Sequence, residues 1–227
     1  MISPEARPAL GELGELELPL LVLVGGATGT GKSTVATEVA RRLGITRVTS
    51  TDVVRQTMRA FFSRAFMPSI HYSSFELGRV MPALEPEEAG DPTVLGFLEQ
   101  TRNVLVGVGA VLSRAIEERY SLALEGVHLV PGAIPQLEGA VVCQCILAIE
   151  DEDVHASHFW TRDSASEGLR PFTKYLQALP EIRRIQGYLI ERATKAGVPV
   201  VENSSVDGAV DEVVNLALAA AAERARP

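Results

Sequence analysis

Apolar positions fall into two rhythms along this chain. Residues 20–24, Leu-Leu-Val-Leu-Val, form an unbroken apolar run, as a strand covered on both faces of a parallel sheet requires. Val35, Ala36, Val39, Ala40 and Leu43 then recur at helical spacing, and Gly44 is a natural helix stop. Further strands are expected at 46–50, 121–124, 139–149 and 198–201. Helices are expected over 180–195 and 210–224, with one long helical stretch over 93–119. Gly107 and Gly109 weaken that stretch and suit close packing against the sheet. Strands alternating with helices predict an α/β fold with a doubly wound, mainly parallel five-stranded sheet. Over 53–92 the rhythm changes. Prolines and charges break it into short helices at 53–66 and 73–81 and a Pro- and Glu-rich link at 83–92, the pattern of an inserted helical lobe over one sheet edge. Residues 162–175 are polar, contain Ser164, Ser166, Gly168 and Pro171, and read as a mobile lid loop. Residues 1–18 read as a flexible leader, followed by a single domain over 19–227.

Composition narrows the class. The chain has 227 residues, 46% hydrophobic and 22% charged, enough for one α/β domain with a sizeable core. A formal charge of -8 lacks the basic footprint of a non-specific nucleic-acid binder. No run of 18 apolar residues predicts a membrane span, and the first 18 residues, with Pro4, Pro8 and four Glu, do not read as a signal peptide. Cys143 and Cys145 lie two apart on one face of a predicted strand, badly placed to bond each other. They read as buried free thiols in a reducing cytoplasm.

The first predicted strand runs into Gly26-Ala27-Thr28-Gly29-Thr30-Gly31-Lys32-Ser33, followed by Thr34 and the first helix. Glycine, four residues, then Gly-Lys-Ser is a P-loop. Glycines let backbone N–H groups curl around a phosphate, and the following helix points its positive end at the same anion. Lys32 is placed to reach the β- and γ-phosphates of ATP, and the Ser33 hydroxyl to ligate Mg²⁺. The motif thus predicts a P-loop NTPase fold that binds a nucleoside triphosphate.

Phosphoryl transfer also needs acidic groups near the metal, cations near the moving phosphoryl, and a base for an alcohol acceptor. Glu125 ends an apolar strand at the sheet edge where ligands bind, and is a candidate to hold Mg²⁺ through water. Asp52 follows the second strand near the same edge, and is a candidate base or a group orienting Mg²⁺ waters; Thr51 and Asp52 also suit a helix N-cap. Arg55 and Arg59, four apart, share a helix face toward Asp52 and suit an anionic substrate. Arg162, Arg170 and Lys174 flank or lie in the predicted lid, where closure would bring cations to the transferring phosphate. At most one of Arg183 and Arg184 faces the site. His128, three residues past Glu125, is a candidate substrate contact. His155 and His158 share a helix face but lack a third ligand for a metal, and Trp160 reads as packing.

Five segments together resemble the 2-phosphoglycerate kinase family. They are the P-loop, Ser50-Thr51-Asp52-Val53-Val54-Arg55, His71-Tyr72-Ser73-Ser74-Phe75-Glu76, Glu125-Gly126-Val127-His128-Leu129-Val130-Pro131, and Ile182-Arg183-Arg184-Ile185-Gln186-Gly187-Tyr188. The resemblance covers residues 20–205. It implies transfer of the ATP γ-phosphoryl group to the 3-hydroxyl of 2-phosphoglycerate, giving 2,3-bisphosphoglycerate. It also implies that His71, Ser73 and Ser74 belong to the lobe covering this small anionic substrate. Two alternatives stay open: a kinase of the same architecture for a sugar, nucleotide or antibiotic, and a nucleotide-dependent switch without transfer. The oligomeric state is not legible.

Overall fold

The computed structural model describes residues 18–80, 90–165 and 172–225. Strand β1 (Leu20–Gly26) is buried along its whole length. Its alternating side chains feed two cores, Leu20, Val22 and Val24 on one face and Leu21 and Leu23 on the other. Flanking it are β2 (Arg47–Ser50), β3 (Leu122–Gly126), β4 (Val141–Ala148) and β5 (Val200–Glu202), in the order β2-β3-β1-β4-β5. Every neighbouring pair is parallel, so the sheet is parallel throughout.

Helices α1 (Lys32–Arg42) and α8 (Val206–Ala225) cover the first face through Val35, Val39, Val210 and Val213. The other face carries α2 (Thr51–Phe61) and α4 (Pro92–Glu117), with Val54, Val104, Val108 and Leu112 against Leu21, Leu23 and Leu124. Helix α7 (Leu179–Ala196) extends this layer over Ile146. Asp91 starts α4, its carboxylate accepting from the Thr93 and Val94 amides, with Pro92 in the first turn.

Several boundaries differ from the sequence reading. Strand β3 runs on to Gly126, so Glu125 lies inside the sheet. The cap of α2 is Ser50, whose Oγ accepts from the Val53 amide, rather than Thr51 or Asp52. Helix α2 stops at Phe61 instead of 66, and His71 Nε2 donates to the Phe62 carbonyl at 2.8 Å. The helix expected over 73–81 shrinks to α3 (Leu77–Val80), because Ser73 is held in a turn by the Glu76 carboxylate and amide. A 3-10 helix (Pro68–His71) precedes it. Gly107 admits Val54 of α2, not the sheet: a Cβ there would stand 2.6 Å from Val54 Cγ1.

The expected lid loop is helical where it is described. Residues 162–165 complete α5 (Glu152–Ala165), and α6 (Phe172–Gln177) follows. Leader residues 1–17, residues 81–89 of the Pro- and Glu-rich region, and lid residues 166–171 lie outside the described residues. Cys143 and Cys145 are unbonded and share one core, and burial pushes the Cys143 thiol up to about 12. No described helix is long and apolar enough to cross a membrane.

Candidate active site

Three strand ends meet at the carboxyl edge of the sheet. β1 leads into the P-loop, β2 into Thr51-Asp52, and β3 ends in Glu125-Gly126. The register sets Glu125 beside Ser50 on one side and Val24 on the other. Glu125 Oε1 accepts a 2.8 Å hydrogen bond from Ser33 Oγ, so the strand and the first turn of α1 share a pair of hard oxygen donors.

The P-loop is tied down by its carbonyls. His155 Nε2 donates to Thr28 O at 2.8 Å, His158 Nδ1 to Gly29 O at 3.0 Å, and Asn203 Nδ2 to Thr30 O at 2.9 Å. These peptides are trans, so each carbonyl held by a side chain leaves the next N–H on the opposite side. The amides of Gly29, Thr30 and Gly31 therefore point away from those side chains, and successive loop amides of this kind suit an anion. Gly29 and Gly31 have φ of 88° and 83°, and a Cβ on Gly29 would stand 2.3 Å from Phe159 Cε1. Only glycine meets both demands. Lys32 Nζ folds back to Ala27 O at 2.6 Å. Burial drives His155 below the usual imidazole range, so it is neutral with its proton on Nε2, and its buried Nδ1 has no partner among the described residues.

Asp52 and Arg55 form a second cluster. Arg55 Nε and Nη2 both donate to Asp52 Oδ1, at 2.9 and 2.7 Å, while Nη1 donates to Ile70 O and Tyr72 O. The Arg55 side chain is 10% exposed and that of Asp52 62%, so the carboxylate is presented and the guanidinium is sunk behind it.

His128 is almost wholly buried where it meets the cleft. Its Nδ1 accepts from Thr51 Oγ1 at 2.8 Å, and its Nε2 donates to Gln100 Oε1 at 3.0 Å. Gln100 Nε2 then donates to Ser69 O and Tyr72 O. Burial, with the Arg55 charge adding to it, depresses His128 to about 3. Gly126 makes room for the first link: a Cβ there would lie 1.9 Å from Thr51 Oγ1.

These groups surround one cleft of about 1070 Å³. Lys32, Ser33, Asp52 and Glu125 line it, as do Thr28, Gly29, Gly31 and Thr34 of the loop. Ser73, Ser74, Arg55 and His128 also line it. Gly26, Ala27 and Thr30 do not line it. Three expected substrate residues are not brought there. Arg59 is exposed and donates to Gln56 Oε1; His71 is turned to Phe62 O; Lys174 pairs with Glu76 at 3.0 Å. Arg183 donates to the Ile149 and Glu150 carbonyls and Arg184 pairs with Asp91, so neither lines the cleft. Arg162 falls in the last turn of α5, where the backbone alone is described, and Arg170 lies outside the described residues. Trp160 is 63% exposed and meets the Phe172 ring edge-on.

Sequence reasoning missed His155, His158, Asn203 and Gln100 as parts of this site. The two histidines stand out as an i, i+3 pair, but their partners are carbonyls 127 and 129 residues earlier. A backbone carbonyl carries no residue-type signal, so nothing in the sequence points to the pairing.

No protein-family model matches the chain. It is 40% identical over 203 residues to the 2-phosphoglycerate kinase of Thermococcus kodakarensis, covering 89% of this chain and 68% of that protein. It is 39% identical over 201 residues to the 2-phosphoglycerate kinase of Methanopyrus kandleri, covering 88% of this chain and 61% of the relative. With the same enzyme of Methanothermobacter thermautotrophicus the identity is 39%, over 86% of this chain and 64% of the relative. The chain thus spans less than two thirds of these last two relatives. Among solved structures, TT1252 from Thermus thermophilus superposes with a TM-score of 0.53 at 18% identity, covering 89% of this chain and 98% of the other, a likeness of fold alone.

Proposed function

The chain belongs to the 2-phosphoglycerate kinase family, and from that premise we propose that it transfers the γ-phosphoryl group of ATP to the 3-hydroxyl of 2-phosphoglycerate, releasing ADP and 2,3-bisphosphoglycerate. One observation carries the reading. A carbonyl-tethered phosphate loop, the Ser33–Glu125 oxygen pair and the presented Asp52 carboxylate line a single cleft.

The amides of Gly29, Thr30 and Gly31, with the Lys32 ammonium, bind the β- and γ-phosphate oxygens, and Lys32 exchanges the Ala27 carbonyl for them. The oxygen donors of Ser33 and Glu125 suit Mg²⁺, with Ser33 as ligand and Glu125 and Asp52 orienting its waters. When bound, that ion neutralises charge on the β- and γ-phosphates. Arg55 fills Oδ1 of Asp52 with two donors, so Oδ2 is the atom left to accept the proton of the acceptor hydroxyl. The hydroxyl oxygen bonds to the γ-phosphorus as the bond to the ADP oxygen breaks.

Arg55 spends four N–H bonds on Asp52 and two carbonyls, which moves recognition of the acceptor's carboxylate and phosphate onto other groups. The Ser73 and Ser74 hydroxyls, with Arg162 and Arg170 of the expected lid, take that part. A cytoplasmic setting suits the two unbonded thiols. ADP release measured across candidate acceptors tests the proposal. Strong stimulation by 2-phosphoglycerate is expected. Stimulation by a sugar or nucleotide instead, or by none of them, overturns it.

A further inference from the structure

Gln100 sits in the third turn of α4 with no exposed surface, and its amide faces two ways. On one side Oε1 accepts from His128 Nε2, and His128 is in turn bonded to Thr51, the residue before the proposed base. On the other, Nε2 donates to Ser69 O at 2.6 Å and Tyr72 O at 3.0 Å. These carbonyls belong to the segment that leads directly into Ser73 and Ser74 on the cleft wall. Arg55, behind Asp52, holds Ile70 O and the same Tyr72 O, and Asn103 holds Ser69 Oγ at 2.9 Å. The turn carrying the wall is therefore hung, carbonyl by carbonyl, on side chains rooted at the catalytic edge. A primary amide suits this place because it accepts from an imidazole at one end and donates twice at the other. A carboxylate has no N–H for the carbonyls, and a hydrocarbon takes the amide from His128 Nε2 and Ser69 O and leaves Tyr72 O with Arg55 as its donor.

We infer that Gln100 is a positioning residue for the acceptor: through the Ser69 and Tyr72 carbonyls it fixes where Ser73 and Ser74 stand relative to Asp52. The inference rests on the proposed reaction for the identity of the acceptor, though not for the placement of the wall. Two variants of the full chain test it, Gln100→Glu, which keeps the shape without the donor, and Gln100→Met, which keeps the volume without polarity. Hydrogen–deuterium exchange reads placement. Exchange across residues 69–76 should rise in both variants while the P-loop stays as protected as in the parent. Steady-state kinetics read the consequence: the KM for 2-phosphoglycerate should rise about tenfold or more, with the KM for ATP within about threefold, as losing two buried hydrogen bonds on one substrate's wall implies. Unchanged exchange over 69–76, an equal rise in the P-loop, or equal changes in both KM values would overturn the inference. Absence of turnover by the parent with 2-phosphoglycerate would strike the proposed reaction instead, and the exchange pattern would still decide the role of Gln100.

Discussion

At the residue scale, Asp52 and Arg55 divide labour in a way their spacing alone does not disclose. An arginine three positions from a carboxylate next to a phosphate loop invites reading as a substrate clamp. The structure instead turns the guanidinium inward, where burial requires partners for its donors, and two backbone carbonyls and Oδ1 supply them. Asp52 is left held at one oxygen and presented at the other. Substituting Asp52 by Asn keeps the size of the side chain and removes its proton-accepting ability. Turnover should fall about 100-fold or more, the usual worth of a positioned base, with nucleotide affinity within about threefold. Single-turnover transfer together with calorimetric nucleotide binding checks this, and an unchanged transfer rate removes Asp52 as base.

At the element scale, α5 acts on the P-loop as a clasp. His155 and His158, one turn apart, hold consecutive carbonyls, and Phe159 fills the space a side chain at Gly29 would need. Because α5 runs on into the predicted lid, the loop that binds phosphate and the segment that would close over it share a helix. Replacing His155 by Ala deletes a buried hydrogen bond worth about 1 kcal/mol. Nucleotide should then bind roughly fivefold more weakly while the KM for the acceptor holds steady; a calorimetric titration beside acceptor kinetics separates the two. The strands, the P-loop and the edge carboxylates were legible because apolar runs, glycine spacing and strand-end position are local signals. The clasp was not, since its acceptors are main-chain atoms distant in sequence. The lobe was misjudged for a related reason. Residues 73–81 carry helix-compatible side chains, yet Glu76 holds Ser73 in a turn, and helix begins only at Leu77.

At the scale of the whole molecule, buried neutral imidazole couples folding to pH. His128 has a folded value near 3 against an unfolded value of 6.5, so below pH 6.5 the unfolded chain binds a proton that the folded chain refuses. Stability from this group is complete above the unfolded value and is lost as pH falls toward the folded one. His155, shifted in the same direction by burial, adds to the loss. From about pH 7.5 to about pH 5.5, His128 alone should cost about 1.4 kcal/mol of unfolding free energy, and His128→Gln should remove that share. Urea unfolding at the two pH values measures it, in a window clear of Glu76 and Glu181, whose lowered values place their own losses below pH 4.5. The relay through His128 also has a grammar of its own. Every hydrogen in it points one way, from the Thr51 hydroxyl to imidazole, from imidazole to amide, and from amide to the Ser69 and Tyr72 carbonyls. Those carbonyls can only accept, so flipping the amide, exchanging the imidazole tautomer or rotating the hydroxyl each breaks a link of the relay. Two fixed backbone dipoles in the lobe thereby dictate the orientation of a hydroxyl beside the proposed base.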